Sequence, residues 1–177
     1  MVMLHILMLI GLMIATAALA APLAAQDMSA FRTGPVFEDF GPHAAVKGAT
    51  PVAADARFSI SFDVNEPAKE DARNRGFESA ARFINMQVAN GVAEENIRIA
   101  VVVHGKAVND LLAQDGNASA EMVRAMLHKG VRFIVCGQSA VAYGVAKEDL
   151  IPGVELALSA MTAHALLQQQ GYTVNPF

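Results

Sequence analysis

The segment Ile97 to Val103, IRIAVVV, is almost entirely apolar and rich in valine. A short run of this kind has no polar face to offer water, and it reads as a strand buried on both sides within a parallel sheet. The flanking sequence fits. Upstream, Phe58, Ile60, Phe62 and Val64 alternate with Ser59, Ser61 and Asp63, a strand period of two. Lys69 to Asn90 then places Phe77, Ala80, Ala81, Ile84 and Val88 on one helical face, and Gly91 closes it. Downstream come a short helix over Asn109 to Ala113, a helix from a Ser119 cap to Lys129, and a strand over Val131 to Val135. A short helix to Tyr143, a weaker strand over Pro152 to Leu158, a helix over Ala160 to Gln170 and an extended Tyr172 to Val174 complete the series. Strands that alternate with helices predict a small parallel-sheet α/β sandwich with helices on both faces. Met28, Met86, Met122, Met126 and Met161 read as core filling.

Two segments precede that domain. Residues 1 to 20 carry no Asp, Glu, Lys or Arg, and a Leu/Ile/Met run from Met3 to Ile14 leads into Ala18-Leu19-Ala20. This is the pattern of a secretory signal peptide cut after Ala20. The alternative is a retained anchor, because the uncharged stretch continues to Gln26 and is long enough for a bilayer core of about 30 Å. Either reading puts the domain outside the cytoplasm, in the periplasm or an equivalent exported location, with membrane contact only if the leader is kept. Residues 21 to 56 hold four of the seven prolines, with Phe31, Phe37 and Phe40 scattered among glycines. They read as an irregular arm lying on the domain or on a neighbouring subunit.

The net charge of −4 leaves no electrostatic footprint for nucleic acid. With no Trp and only Tyr143 and Tyr172, a flavin sandwich is poorly supplied, and no dinucleotide fingerprint or phosphate loop is present. No cofactor is expected. A lone cysteine excludes an internal disulfide and any CxxC pair, and Cys136 with His104 supplies only two of the donors a metal needs.

In a parallel sheet, ligands bind beyond the carboxyl ends of the strands. Four strand ends deliver polar groups there: Asp63 with Asn65, His104, Cys136 with Gly137, Gln138 and Ser139, and Ser159. Cys136 stands where a buried strand stops and a turn opens a helix, so the helix-start N–H groups can hold its thiolate. The bland reading is a small buried hydrophobe ending a strand. His104 is either a proton shuttle for that thiol or a strand-end imidazole bonded to backbone. Asp63 and Asn65 either line the mouth or cap the first helix, and Gln138 and Ser139 either hold an anion or act as plain caps.

FSISFDVNEP, RFINMQVANG, IRIAVVVHG, GVRFIVCGQSA and IPGVELALSAMTAHALLQQQGY, in that order over about residues 57–177, resemble the DsrE/DsrF-like sulfur-relay family in its exported branch. The resemblance implies a DsrE-like α/β domain that assembles as a homo-oligomer, a trimer or hexamer. It also implies that the cysteine after the third strand, Cys136, accepts a sulfane sulfur as a persulfide and passes it to a thiol-bearing acceptor protein, as a sulfurtransferase or carrier does. His104 belongs to the family's VVVHG motif. The competing expectation is a non-catalytic small-anion-binding or oligomer-forming module with an inert cysteine.

Overall fold

A computed structural model describes residues 27–175; the leader expected over residues 1–20 lies outside them. Five strands form one parallel sheet: β1 (Phe58–Val64), β2 (Ile97–Val103), β3 (Arg132–Cys136), β4 (Glu155–Ala157) and β5 (Thr173–Asn175). Their spatial order is β4-β3-β2-β1-β5. The helices are α1 (Arg75–Ala89), α2 (Ala120–His128), α3 (Gly137–Tyr143) and α4 (Ala160–Gln169), with 3-10 segments at Glu94–Asn96, Gly105–Leu111 and Lys147–Asp149. The α/β sandwich read from the strand and helix periods is the fold.

Side-chain parity sorts the sheet into two unlike faces. Phe62, Val64, Ile99, Val101, Val103, Phe133 and Val135 are buried on one face with Phe77, Ala80 and Ala81 of α1 and Met122 and Met126 of α2. Phe77 and Phe133 meet edge to face at 5.2 Å, and each such ring contributes about 1.5–3 kcal/mol by its burial. The opposite face is thinner. Ala100, Val102 and Ile134 pack under Ala163 and Leu167 of α4, with Tyr172 beside them. Because Asp63, His104 and Cys136 share the parity of Ala100, Val102 and Ile134, they emerge on this thinner face, at the carboxyl edge.

The arm lies on the domain itself. Phe37 and Phe40 stack at 4.9 Å and join the main core. Buried Asn85 of α1 secures them: its Oδ1 accepts from the N–H groups of Val36 and Phe37, and its Nδ2 donates to the carbonyls of Phe37, Phe40 and Gly41. Gly41, at φ +68°, runs so close to α1 that a Cβ there would lie 2.7 Å from the Arg82 nitrogen.

Four local expectations are corrected. The first helix begins at Arg75 rather than Lys69, because Asn74 caps it by accepting from the Gly76 and Phe77 N–H groups. Neither Asp63 nor Asn65 has that role. The short helix expected over Asn109–Ala113 is a 3-10 segment over Gly105–Leu111. Ser119 holds the cap position of α2, but its hydroxyl accepts from the Asn74 N–H instead. Of the methionines read as core, Met122 and Met126 are buried, whereas Met28 is half exposed and Met161 is 80% exposed.

Candidate functional site

Beyond the ends of β1, β2 and β3 lies an open hollow of about 540 Å³, lined by Asp63, His104, Cys136, Gln138, Ser139, Ser159, Ala160, Met161, His164 and Val174. Cys136 ends β3 and is the residue immediately before α3. It is 6% exposed and unpaired, and it stands in the wall of that hollow.

Two helix starts converge on the sulfur. Burial pushes the Cys136 thiol up, but hydrogen bonds from the Ser139 hydroxyl and from the backbone N–H groups of Ser139, Ala160 and Gln138 outweigh it, and the thiol lies below its ordinary value. Gln138 and Ser139 belong to the first turn of α3 and Ala160 opens α4. These are N–H groups that a helix leaves without partners in its own ladder. The Ser139 hydroxyl is well placed for the role. Its Oγ accepts from the Gly105 N–H at 2.9 Å, leaving its one proton free to donate to sulfur. Gly105, at φ +57°, makes the turn just after His104.

The remaining expected residues mostly serve this arrangement through backbone and caps. A Cβ on Gly137 would lie 2.6 Å from the Ala157 carbonyl oxygen, so glycine is what allows α3 to start against the end of β4. The Gln138 side chain donates to the Leu158 carbonyl at 3.2 Å. Ser159 caps α4 by accepting from the Thr162 N–H at 3.0 Å, which aims the Ala160 N–H at the site. Asn65 is the exception. It lies past the end of β1 and lines a neighbouring hollow with Glu66, Arg73 and Arg75 rather than the Cys136 wall.

Facing the thiol is a polar row that sequence reading found only in part. Asp63 Oδ1 accepts from His164 Nε2 at 2.8 Å, and His104 Nε2 lies 3.2 and 3.3 Å from the two carboxylate oxygens. Burial raises the Asp63 carboxyl, but the bonds from His164 and His104, with their charge, outweigh it and hold it below its ordinary value. His164 Nδ1 lies 3.0 Å from the hydroxyl of fully buried Ser61. With Nε2 donating to Asp63, a neutral His164 accepts that hydroxyl proton at Nδ1. Asp63 therefore fixes two imidazoles at once. His164 is not among the residues the sequence singles out; its signal is its place beside Ala163 and three residues before Leu167, on the inward face of α4. Among the described residues, no group of three His, Cys, Asp or Glu side chains is arranged to hold a metal ion.

The fold and this site define a parallel α/β sandwich with one cysteine held at a strand tip. The DsrE/DsrF-like family model matches residues 69–176, more than half of the chain, and the protein belongs to that family. Its structure is similar to that of MTH1491 from Methanobacterium thermoautotrophicum, described as a protein of unknown function: 26% identity, 68% of this chain and 99% of that one covered, TM-score 0.51. The ychN protein from E. coli is 18% identical, over 68% of this chain and 99% of that one, with a TM-score of 0.46. No curated protein matches the chain.

Proposed function

We propose that the protein is a sulfur carrier of the exported compartment, holding a persulfide on Cys136 and passing it to a partner thiol. The observation that supports this is the set of donors, one hydroxyl and three backbone N–H groups, that lowers the Cys136 thiol beside an open hollow. In the loading step the thiolate attacks the outer sulfur of a donor. The Sγ–S bond forms, the donor's S–S bond breaks, and the donor leaves with that electron pair. In the unloading step a partner thiolate attacks the bound sulfur and Cys136 is released as a thiolate. No second cysteine is present to divert the persulfide into an internal disulfide. His104, oriented by Asp63, is the proton partner for the leaving group. Exposed Val141, Leu158 and Leu166 support a homo-oligomer, as the family resemblance implies.

The second reading, an anion-binding or assembly module with an inert cysteine, draws on the 6% exposure of Cys136. One experiment separates them: incubation of the mature protein with inorganic polysulfide, followed by intact-mass measurement. Gain of one sulfur atom that disappears in Cys136→Ser is the expected result. An unchanged mass, with ordinary thiol reactivity, would establish the module.

A further inference from the structure

We propose that the hollow beside Cys136 selects its sulfur donor by charge, taking an organic hydropersulfide R–S–SH with an apolar R group and discriminating against the thiosulfate dianion. The inference rests on the carrier reading above. A stored sulfur atom needs far less room than about 540 Å³, a volume within the range of roughly 300–1,000 Å³ typical of small-molecule sites. No lysine or arginine lines the hollow, and Asp63 brings a carboxylate into it. Lys106, two residues past His104, is exposed and is not part of the wall. The hydroxyls beside Cys136 are already engaged: Ser139 accepts from the Gly105 N–H and Ser159 from the Thr162 N–H. The two imidazoles in the lining, His104 and His164, are both turned onto the Asp63 carboxylate, so a dianion would meet no lysine or arginine there and would compete with that carboxylate for the imidazoles. The lining also has an apolar part, with Ala160, 80%-exposed Met161 and Val174. An alkyl or aryl group seats there while its terminal sulfur reaches Cys136.

The step balances without an oxidant. The Cys136 thiolate attacks the outer sulfur, the Sγ–S bond forms, the S–S bond to R breaks, and R–S⁻ leaves. Cys136 ends as Sγ–SH. Thiosulfate would deliver the same sulfur and release sulfite, so the two donors differ in what the hollow must accommodate.

The test is the initial rate of sulfur gain at Cys136, by intact mass, with freshly generated benzyl hydropersulfide, glutathione hydropersulfide and thiosulfate. Each rate is divided by that of a simple thiol with the same donor. The expected order is benzyl, then glutathione, then thiosulfate, with about tenfold or more between the extremes, a factor equivalent to about 1.4 kcal/mol. Met161→Lys places an ammonium at the exposed rim, and the same ratio is expected to narrow as thiosulfate loading rises. Equal normalised rates, or thiosulfate ahead in the wild type, would overturn the donor selection while leaving the carrier reading intact. Failure of all three donors to load would remove the carrier reading and this proposal together.

Discussion

The two faces of the sheet are made from the same strands and do different work. On one, alternate residues of β1, β2 and β3 are Phe, Val and Ile, sealed by α1, α2 and the arm. On the other, the intervening residues include Ser61, Asp63, Ala100, Val102, His104, Ile134 and Cys136, and α4 covers them with Ala160, Ala163, His164 and Leu167. Small residues there let α4 approach closely enough for His164 to reach Asp63 and for the Ala160 N–H to reach Cys136. The difference shows how a parallel sheet can keep stability and chemistry apart without separate domains: one residue of register decides which face a side chain serves.

Substitutions that test this separation should rank accordingly. Phe133→Ala empties the sealed face and is expected to cost about 3–5 kcal/mol in urea unfolding. Its neighbour Ile134→Val, on the thinner face, is expected to cost only about 0.5–1.5 kcal/mol. Equal losses would mean that the two faces bear stability alike. Asn85→Ala orphans arm backbone groups and is expected to cost about 1–3 kcal/mol, with proteolysis appearing first within residues 27–56. Protection of the arm in that variant would show that Phe37 and Phe40 suffice to hold it.

The polar row should contribute less to stability and more to chemistry. The Asp63 carboxyl is depressed in the folded state, so its contribution is present above the unfolded value, about pH 4, and is lost as pH falls through the folded value. Since Asp63 is partly exposed, Asp63→Asn is expected to cost less than about 1 kcal/mol at pH 7, and the gap to the wild type should shrink below about pH 4. A difference in Tm that grows on acidification would reverse that sign. Asp63→Asn should also flatten the pH profile of sulfur unloading, because His104 loses the carboxylate that orients it. Met161→Ser, at the exposed rim, is expected to change stability by no more than about 0.5 kcal/mol.

Much of the scaffold was legible because strand and helix periods are local. Ile97–Val103 was bounded to the residue, and Cys136 was placed at a strand tip, since buried apolar runs end where the sequence turns polar or small. What escaped was long-range. Nothing near Asp63 in the chain announces His164, which lies 101 residues away. Nothing near Ser119 shows that its hydroxyl serves Asn74 rather than its own helix. Asn85 did leave a trace, as a polar residue between Ile84 and Val88 on the inward face of α1, and its five partners explain it. The start of α1 was misread because Lys69 to Arg73 is polar enough to continue a helical pattern, whereas the Asn74 cap decides where helical bonding begins.

The most direct measurement is the pH dependence of alkylation at Cys136, the chain's sole cysteine, in the wild type and in Ser139→Ala. A midpoint below that of a free cysteine, moving upward in the variant, is the result that hydroxyl and amide donors on the sulfur require. A midpoint at or above that of a free cysteine, unmoved by the variant, would mean that burial governs the thiol and that the strand tip is only packing.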